Sequence, residues 1–302
     1  MSYFEAMTAT AGIAAPPVPM GERVELPGRG TTFVRHVPGP PGAPTVVLLH
    51  GWIASGGLNW FNAFGPLSQR YTVLAPDLRG HGRGLRSRRR FRLADCADDV
   101  AALLDHMELG PAIVVGYSMG GPIAQLMWHR HPHHVAGLVL CATSDRFVAG
   151  QRERLVFGSI MAAALGTTRA GRLLSRLPLA PMRRFATTGA AGRPTTLRSW
   201  ASAEMRRHDM VKLMEAGQAI GSYSARRWIG DIDVPTTVVV TERDRAVEPA
   251  VQRRMAAAIP GAEVQTIDDG HVACAKRSFG PAMVHAVDAV TARLAAPSAA
   301  VG

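Results

Sequence analysis

The chain has 302 residues, a length that suits one large domain or one domain with an insertion. Hydrophobic residues make up 47% of it, which is enough for a sizeable core, yet no apolar run reaches the ~18 residues of a membrane-spanning helix. The three cysteines form no CxxC pair, which argues against a disulfide framework or a zinc site and predicts a cytoplasmic location.

The two ends of the chain are predicted to lie outside the folded core. Residues 1–23 are predicted to form a loose arm. No lysine or arginine precedes Arg23, so this segment lacks the basic region that opens a secretory signal peptide. Residues 296–302 are predicted to form a short tail.

Short apolar runs alternate with helical patterns along the rest of the chain. Continuous apolar strands separated by helices indicate a mostly parallel sheet with helices on both faces. We therefore predict an α/β core over 24–144 and 230–295. The predicted strands are Thr31–Val37, Thr45–His50, Tyr71–Ala75, Ala112–Tyr117, Val135–Ala142, Thr236–Thr241 and Glu263–Ile267. The predicted helices are Leu93–Met107, Met119–His131, Glu248–Ile259 and Lys276–Leu294.

The segment 145–229 breaks this alternation, because it holds several helical patterns and no convincing strand. It is predicted to be a helical cap inserted between two strands of the sheet. The segment is also basic: residues 146–227 hold 15 basic and 4 acidic residues, which accounts for the whole net charge of +11.

A glycine-flanked serine follows the predicted strand Ala112–Tyr117, where the sequence reads GYSMGG. A G-x-S-x-G pattern between a strand and a helix forces the serine into a strained turn that exposes its hydroxyl at the edge of the sheet. Gly116 and Gly120 leave room for the strand and the helix to pack closely. The helix points its positive end at Ser118, where negative charge develops in acyl transfer. Ser118 is therefore a candidate nucleophile.

A serine nucleophile needs a base, and the base needs an acid that orients it. His271 lies in a predicted loop after the last strand, and Asp244 lies just past the strand before that one. Both positions fall at the carboxyl edge of a parallel sheet, where ligands bind in open α/β folds. We predict His271 as the base and Asp244 as the acid, in the expected order along the chain. Four other carboxylates remain candidates for the acid: Asp145, Glu242, Asp268 and Asp269.

The stretch LLHGW ends a predicted strand and offers a donor for an oxyanion. Gly51 lets the backbone turn sharply, so that the Trp52 N–H can face the serine. The Met119 N–H, at the start of the helix, supplies a second donor. His50 is expected to hold this loop by hydrogen bonding.

A second glycine-rich turn, DLRGHG, leaves the predicted strand Tyr71–Ala75. Its polar residues are Asp77, Arg79 and His81. We expect them to brace the structure rather than to take part in catalysis.

The motifs LLHGW, DLRGHG, GYSMGG and DDGH, with the loop around Asp244, resemble those of the α/β-hydrolase superfamily. More narrowly, they are similar to its esterase, lactonase and cofactor-free haloperoxidase-like branches. The resemblance runs from about residue 24 to residue 295 and is weakest over 145–229. It implies the α/β-hydrolase fold, with a helical cap that shapes the acyl pocket.

The resemblance also implies roles for the site residues. Ser118 would be the nucleophile, His271 the base and Asp244 the acid, with the amides of Trp52 and Met119 as the oxyanion hole. The implied reaction is hydrolysis of a carboxylic ester, thioester or lactone through an acyl-enzyme, with no metal or organic cofactor. The apolar residues of the cap favour a small-molecule substrate with a hydrophobic acyl group.

Two alternatives to this reaction remain open. The same site could perform C–C bond hydrolysis or perhydrolysis, or the chain could be a non-catalytic ligand-binding relative. A serine at the nucleophile position argues against relatives with an aspartate nucleophile, such as epoxide hydrolases and haloalkane dehalogenases.

The basic part of the predicted cap has two interpretations. The stretch 152–184 mixes bulky apolar residues with arginine, and basic amphipathic helices bind acidic lipid, so peripheral contact with an anionic membrane is one of them. The other is a cap whose apolar face closes the pocket while arginine keeps its outer face soluble. A second arginine cluster at Leu85–Arg92 could enlarge the same positive face. Nucleic-acid binding is not expected, because no recognition helix or aromatic-interleaved basic motif accompanies the charge.

Overall fold

The computed structural model describes residues 14–148, 158–168 and 194–296. Most of the predicted arm (1–13), two stretches of the predicted cap (149–157 and 169–193) and nearly all of the predicted tail (297–302) lie outside the described residues. No helix in the described ranges is long and apolar enough to cross a membrane.

One eight-stranded sheet forms the centre of the described structure. Its strands are β1 (Glu22–Leu26), β2 (Gly30–Val37), β3 (Thr45–Leu49), β4 (Thr72–Asp77), β5 (Ala112–Tyr117), β6 (Val135–Cys141), β7 (Thr236–Thr241) and β8 (Glu263–Ile267). They lie in the order β1-β2-β4-β3-β5-β6-β7-β8. The six strands from β4 to β8 across the sheet are parallel, while β2 is antiparallel to both β1 and β4. The predicted mostly parallel sheet is therefore confirmed.

Helices cover both faces of this sheet. The helices are α1 (Gly56–Trp60), α2 (Phe64–Ser68), α3 (Leu93–His106), α4 (Gly120–Arg130), α5 (Leu197–Met205), α6 (Met210–Ser222), α7 (Pro249–Ala258) and α8 (Phe279–Ala295). One core cluster joins α3, α4 and α7 to side chains such as Val47 and Leu49 of β3. The other joins α1, α2 and α8 to Val46 and Leu48 of the same strand. Because successive strand residues point to opposite faces, an apolar run such as TVVLL supplies both cores.

Three elements were not among the sequence predictions: β1, α1 and α2. β1 pairs with β2 from Glu22 onward, so the last two residues of the predicted arm, Glu22 and Arg23, are strand residues. α1 and α2 have only five residues each and contain glycine or proline. Such short elements carry little periodic signal, and their tertiary contacts hold them.

The described part of the segment 145–229 is mainly helical. Residues 158–168 form a helix, and α5 and α6 follow, with no sheet strand among the described residues of the segment. The side chain of Thr196 caps α5, and that of Asp209 caps α6. Trp52 Nε1 donates to the carbonyl oxygen of Leu213 at 2.8 Å, which joins α6 to the loop after β3. The complete cap stays a prediction, because much of it lies outside the described residues.

Candidate active site

The corner between β5 and α4 holds Ser118 in an unusual backbone conformation. Ser118 has a φ of 51°, in the left-handed region that non-glycine residues rarely adopt. A Cβ at Gly116 would overlap the backbone of Gly120, and one at Gly120 would overlap the carbonyl of Leu49. Glycine at both positions is thus what lets β5 turn directly into α4, with the serine at the apex, as the sequence predicted.

The hydroxyl of Ser118 meets the imidazole of His271. The distance from Ser118 Oγ to His271 Nε2 is 3.0 Å. The preceding residue, Tyr117, donates its phenolic O–H to the carbonyl oxygen of His271 at 2.7 Å. The loop after β8 is therefore fastened to the end of β5 from two neighbouring residues, which fixes the ring against the serine.

The other ring nitrogen of His271 meets Asp244, with Nδ1 and Oδ2 2.8 Å apart. The carboxylate also accepts N–H groups from Ala246 at 2.8 Å and Val247 at 3.0 Å, and the hydroxyl of Thr241 at 2.8 Å. Burial raises the pKa of Asp244, but the hydrogen bonds and the neighbouring His271 outweigh it and leave the pKa below its ordinary value. An ionised Asp244 only accepts, so Nδ1 carries the proton and Nε2 is free to accept from Ser118.

The four alternative acids do not reach His271. The side chain of Asp145 accepts from the Ser144 hydroxyl at 3.2 Å. Glu242 pairs with Arg253, and Asp268 pairs with Arg243 at 3.0 Å. Asp269 accepts the N–H of its neighbour Gly270 at 2.7 Å. Of the five candidate carboxylates, the structure brings Asp244 to the histidine.

The loop after β3 passes directly beside the serine. A Cβ at Gly51 would lie 3.3 Å from Ser118 Cβ and 3.4 Å from Asn59 Oδ1. Asn59 accepts the Gly51 N–H at 2.9 Å, and His50 Nδ1 contacts the Gly51 carbonyl oxygen at 2.8 Å. Glycine at position 51 thus leaves space at the nucleophile, while two side chains fix its peptide groups.

His50 is a fully buried ring that bridges two loops. Its Nε2 accepts the N–H of Leu78 at 2.9 Å, so Nδ1 must carry the proton that is donated to Gly51. Burial, and then the nearby His81, lower the pKa of His50 well below its ordinary value. His50 therefore stays neutral and holds the loop by hydrogen bonding, as expected.

The two predicted oxyanion donors come from two segments that meet at the serine. Met119 follows Ser118 directly and is fully buried, and Trp52 follows Gly51. Within the described ranges, no protein acceptor takes the backbone N–H of either Trp52 or Met119. Both donors are thus available to a bound molecule.

The residues of the DLRGHG turn make structural contacts. Asp77 accepts the backbone N–H groups of Gly56 at 2.9 Å and Arg83 at 2.8 Å. Arg79 donates two hydrogen bonds, of 2.8 and 2.7 Å, to the carboxylate of Asp99. His81 contacts the carbonyl of Arg79 at 3.0 Å. These contacts join loops and helices to one another, as expected for structural residues.

A cleft of about 1220 Å³ opens in front of Ser118 and His271. The loop after β3, with α1 and Met205 of α5, forms a mainly apolar side. The loops after β7 and β8 form a charged side. The apolar lining residues are Trp52, Ile53, Ala54, Leu58, Met205, Ala246, Val272 and Cys274, and the charged ones beyond Asp244 are Glu242, Arg243, Arg245, Asp269 and Lys276.

Sequence reasoning missed several residues that support the site. Tyr117, Asn59, Thr241 and Gln252 each hold a loop or side chain of the site through polar contacts. All four lie in strands or helices, where a polar residue at a buried position is the only signal in the sequence. Such a position indicates that the side chain has a hydrogen-bond partner, but the sequence does not identify that partner.

Comparison with known proteins identifies the family. The sequence profile of the alpha/beta hydrolase fold matches residues 44–277. The chain is 32% identical to the magnesium-chelatase 30 kDa subunit of Rhodobacter capsulatus over 78% of this chain and 82% of that protein. It is 30% identical to a pimeloyl-[acyl-carrier protein] methyl ester esterase of Stenotrophomonas maltophilia over 75% of this chain and 85% of that protein.

A solved structure gives the same result for the fold. A hydrolase from Pseudomonas aeruginosa superimposes with a TM-score of 0.69 and 24% identity, over 91% of this chain and 98% of that one. The profile covers well over half of the chain, and the relatives match along most of their length. The chain belongs to the alpha/beta hydrolase fold family.

Proposed function

We propose that the protein is a serine hydrolase that cleaves a carboxylic ester, with thioesters and lactones as chemically related substrates. The observation that carries the proposal is the continuous hydrogen-bonded line from Ser118 through His271 to Asp244, at 3.0 and 2.8 Å. Nucleophile, base and orienting acid in this arrangement suit acyl transfer.

The first half of the reaction forms an acyl-enzyme. Ser118 Oγ attacks the carbonyl carbon, while His271 Nε2 takes the hydroxyl proton and later gives it to the leaving alkoxide. Asp244 keeps the proton on Nδ1 and stabilises the imidazolium that forms. The carbonyl oxygen becomes negative and accepts the N–H groups of Trp52 and Met119.

The second half releases the acid. Water takes the place of the alcohol, and His271 removes a proton from it as it attacks the acyl-enzyme. The oxyanion forms again between the same two amides and collapses to expel Ser118 Oγ, which recovers its proton from His271.

The cleft favours a substrate with a hydrophobic part. Leu58, Ile53 and Met205 provide an apolar wall beside the nucleophile, while the backbone N–H groups provide the polar contacts at the reacting centre. The relative from Stenotrophomonas maltophilia is named a methyl ester esterase, which supports an ester as the substrate class.

A non-catalytic binding role is the second candidate, because the relative from Rhodobacter capsulatus is named as a subunit of a chelatase. The two candidate functions differ in the role of Ser118. A binder needs the cleft, whereas a hydrolase also needs a nucleophile that reacts.

The test is turnover of p-nitrophenyl esters of increasing acyl length by the natural chain and by Ser118→Ala. We expect turnover that rises with acyl length and is lost, by at least about 10³-fold, in Ser118→Ala. A fluorophosphonate should add to the natural chain at Ser118 and leave Ser118→Ala unlabelled. Ser222→Ala, at an exposed helix end, is the matched control and should behave as the natural chain does. Ester turnover that survives in Ser118→Ala, or no turnover and no labelling, would overturn the proposal.

A further inference from the structure

Six exposed arginines lie together where the loop after β4 meets α6. They are called the arginine face here: Arg86, Arg88, Arg89, Arg90, Arg206 and Arg207. Arg86 Nη2 donates to the carbonyl oxygen of Arg207 at 2.6 Å, and Lys212 Nζ donates to the carbonyl oxygen of Arg89 at 2.6 Å. These contacts hold the loop after β4 along the segment that leads from α5 into α6, so the arginines of the two segments are neighbours.

The carboxylates next to the arginine face are turned inward. Glu204 and Glu215 are each 2% exposed; Glu204 pairs with Arg83 and lies 3.3 Å from Arg207 of the arginine face, and Glu215 pairs with the lysine of α6. Asp209 directs its side chain to the first N–H groups of α6. The residues 78–94 contain no acid at all. The charge that this surface presents to solvent is therefore positive.

An apolar side chain is exposed beside this charge, and another lies on a neighbouring helix. Met210, three positions after Arg207, is the first residue of α6 and is 53% exposed. The helix 158–168 contains no charged residue, and a Cβ at Gly217 of α6 would lie 2.9 Å from the sulfur of Met161. The same helix leaves Ile160 57% exposed. Arginines with an exposed apolar side chain among them, as Met210 is here, are typical of surfaces that lie at a lipid interface.

We propose that the arginine face and Met210 dock the protein on a lipid bilayer that carries anionic headgroups. Guanidinium groups bind phosphate and carboxylate headgroups with paired hydrogen bonds, and the anionic surface attracts each arginine within a Debye length. Met210 then enters the headgroup region, which an acidic protein or a nucleic acid would not offer it. Met205, which lines the cleft, directly precedes Arg206, so the docked surface borders the entrance for an apolar substrate.

The experiment is co-sedimentation of the full chain with vesicles of phosphatidylcholine alone, or with one third phosphatidylglycerol. We expect binding to the anionic vesicles only, and release as salt is raised, because salt screens the attraction. The variant R88E/R89E should weaken binding by at least tenfold, on the order of what two arginines contribute. Met210→Ser should weaken it less and should abolish the part that survives high salt.

The matched control is R254E/R277E, which changes the net charge equally through exposed arginines outside the arginine face. This control should bind anionic vesicles as the natural chain does, and thermal unfolding checks that both variants fold. Equal binding to both kinds of vesicle, equal loss in the two double variants, or binding of a DNA oligonucleotide or an acidic protein in place of vesicles would overturn the proposal. The readout is independent of the proposed hydrolase activity, since hydrolysis of a soluble p-nitrophenyl ester should be unchanged in R88E/R89E.

Discussion

At the scale of single residues, the protonation of one imidazole decides what the site can do. Asp244 is buried, yet its hydrogen bonds keep its pKa below the ordinary value, so it is an acceptor at neutral pH. The proton of His271 is therefore held on Nδ1, and Nε2 faces Ser118 as an acceptor. The same residues with the proton on the other nitrogen would leave the serine without a base.

The first prediction concerns this proton. Asp244→Asn keeps the size of the side chain, but its amide can donate to Nδ1 and favour the tautomer that cannot accept from Ser118. We expect kcat on p-nitrophenyl esters to fall by roughly 10³–10⁴-fold, with a small change in KM.

The matched control is Asp145→Asn, because Asp145 was also a candidate acid and contacts Ser144 rather than His271. It should keep most of the activity. If both variants lost activity equally, Asp244 would have no special part in orienting the histidine.

At the scale of elements, close contacts between backbones shape the site. β5 turns into α4 across Ser118 and Met119 alone, and Gly120 lies against the end of β3. The loop after β4 is likewise fastened to α5, because Arg83 binds both oxygens of Glu204 at 2.9 and 2.7 Å. One contact aims the nucleophile, and the other holds the described part of the predicted cap to the core.

The second prediction tests the glycine corner. Gly120→Ala would place a Cβ onto the carbonyl of Leu49, and a backbone atom cannot move aside as a side chain can. We expect the free energy of unfolding to fall by about 3 kcal/mol or more, measured by denaturant titration.

The control for this substitution is Gly110→Ala, at an exposed loop position where a new Cβ meets no atom within 4 Å. It should change stability little or raise it slightly, because alanine restricts the unfolded chain. Equal losses at positions 110 and 120 would contradict the packing argument.

The third prediction tests the contact between Glu204 and Arg83. Glu204→Gln removes a buried charge that also lies 3.3 Å from Arg207 and 4.0 Å from the buried Arg35. A buried guanidinium group without a neighbouring carboxylate destabilises the folded protein. We therefore expect a loss of roughly 3 kcal/mol in the free energy of unfolding.

Hydrogen exchange should locate this loss in α5 and the loop after β4. Glu248→Gln, at an exposed position before α7, is the control and should leave exchange unchanged. Unaltered protection of α5 in Glu204→Gln would show that the ion pair does not hold the helix.

At the scale of the whole molecule, three histidine rings connect the core to the segment that carries α5 and α6. His50 and His81 have ring centroids 5.3 Å apart, and His81 and His208 are 5.7 Å apart. Burial is the main cause that lowers the pKa of His81 to about 3 and that of His208 to about 4. All three rings are therefore neutral in the folded protein at neutral pH.

The fourth prediction follows from these shifts. In the unfolded chain these histidines have a pKa near 6.5 and bind protons below that pH, whereas the buried rings of the folded protein stay neutral. The free energy of unfolding therefore falls as the pH drops from 6.5 toward 4. Each ring contributes a slope of up to about 1.4 kcal/mol per pH unit in that window. Urea unfolding between pH 8 and pH 4 measures the slope.

His208→Asn keeps an acceptor for the Gly82 N–H, which His208 Nδ1 now accepts at 2.8 Å, but it cannot titrate. The slope should be shallower by one ring in this variant. His285→Asn, on the exposed side of α8, should leave the slope as it is. A slope that is equal in all three proteins would mean that His208 is not the titrating group.

Most of the fold could be predicted from the sequence, because long apolar strands and amphipathic helices carry strong periodic signals. β5, β7 and β8 have the predicted bounds residue for residue. β1, α1 and α2 were not predicted. Three of the five residues of β1 are charged, so its apolar signal is weak, and α1 and α2 are short, contain glycine or proline and pack against parts of the core that are distant in the chain.

The sequence by itself determined the candidates: a serine on a glycine corner, a histidine after the last strand and five carboxylates at the same edge. It could do so because turn chemistry and strand order are local properties of the chain. The sequence also favoured Asp244 as the acid and assigned His50 to the loop after β3. Only the tertiary structure shows which carboxylate reaches His271 and that Asn59 and Tyr117 support the site. These contacts depend on distances between loops of different strands, and such distances exist only once the sheet has brought the loops together.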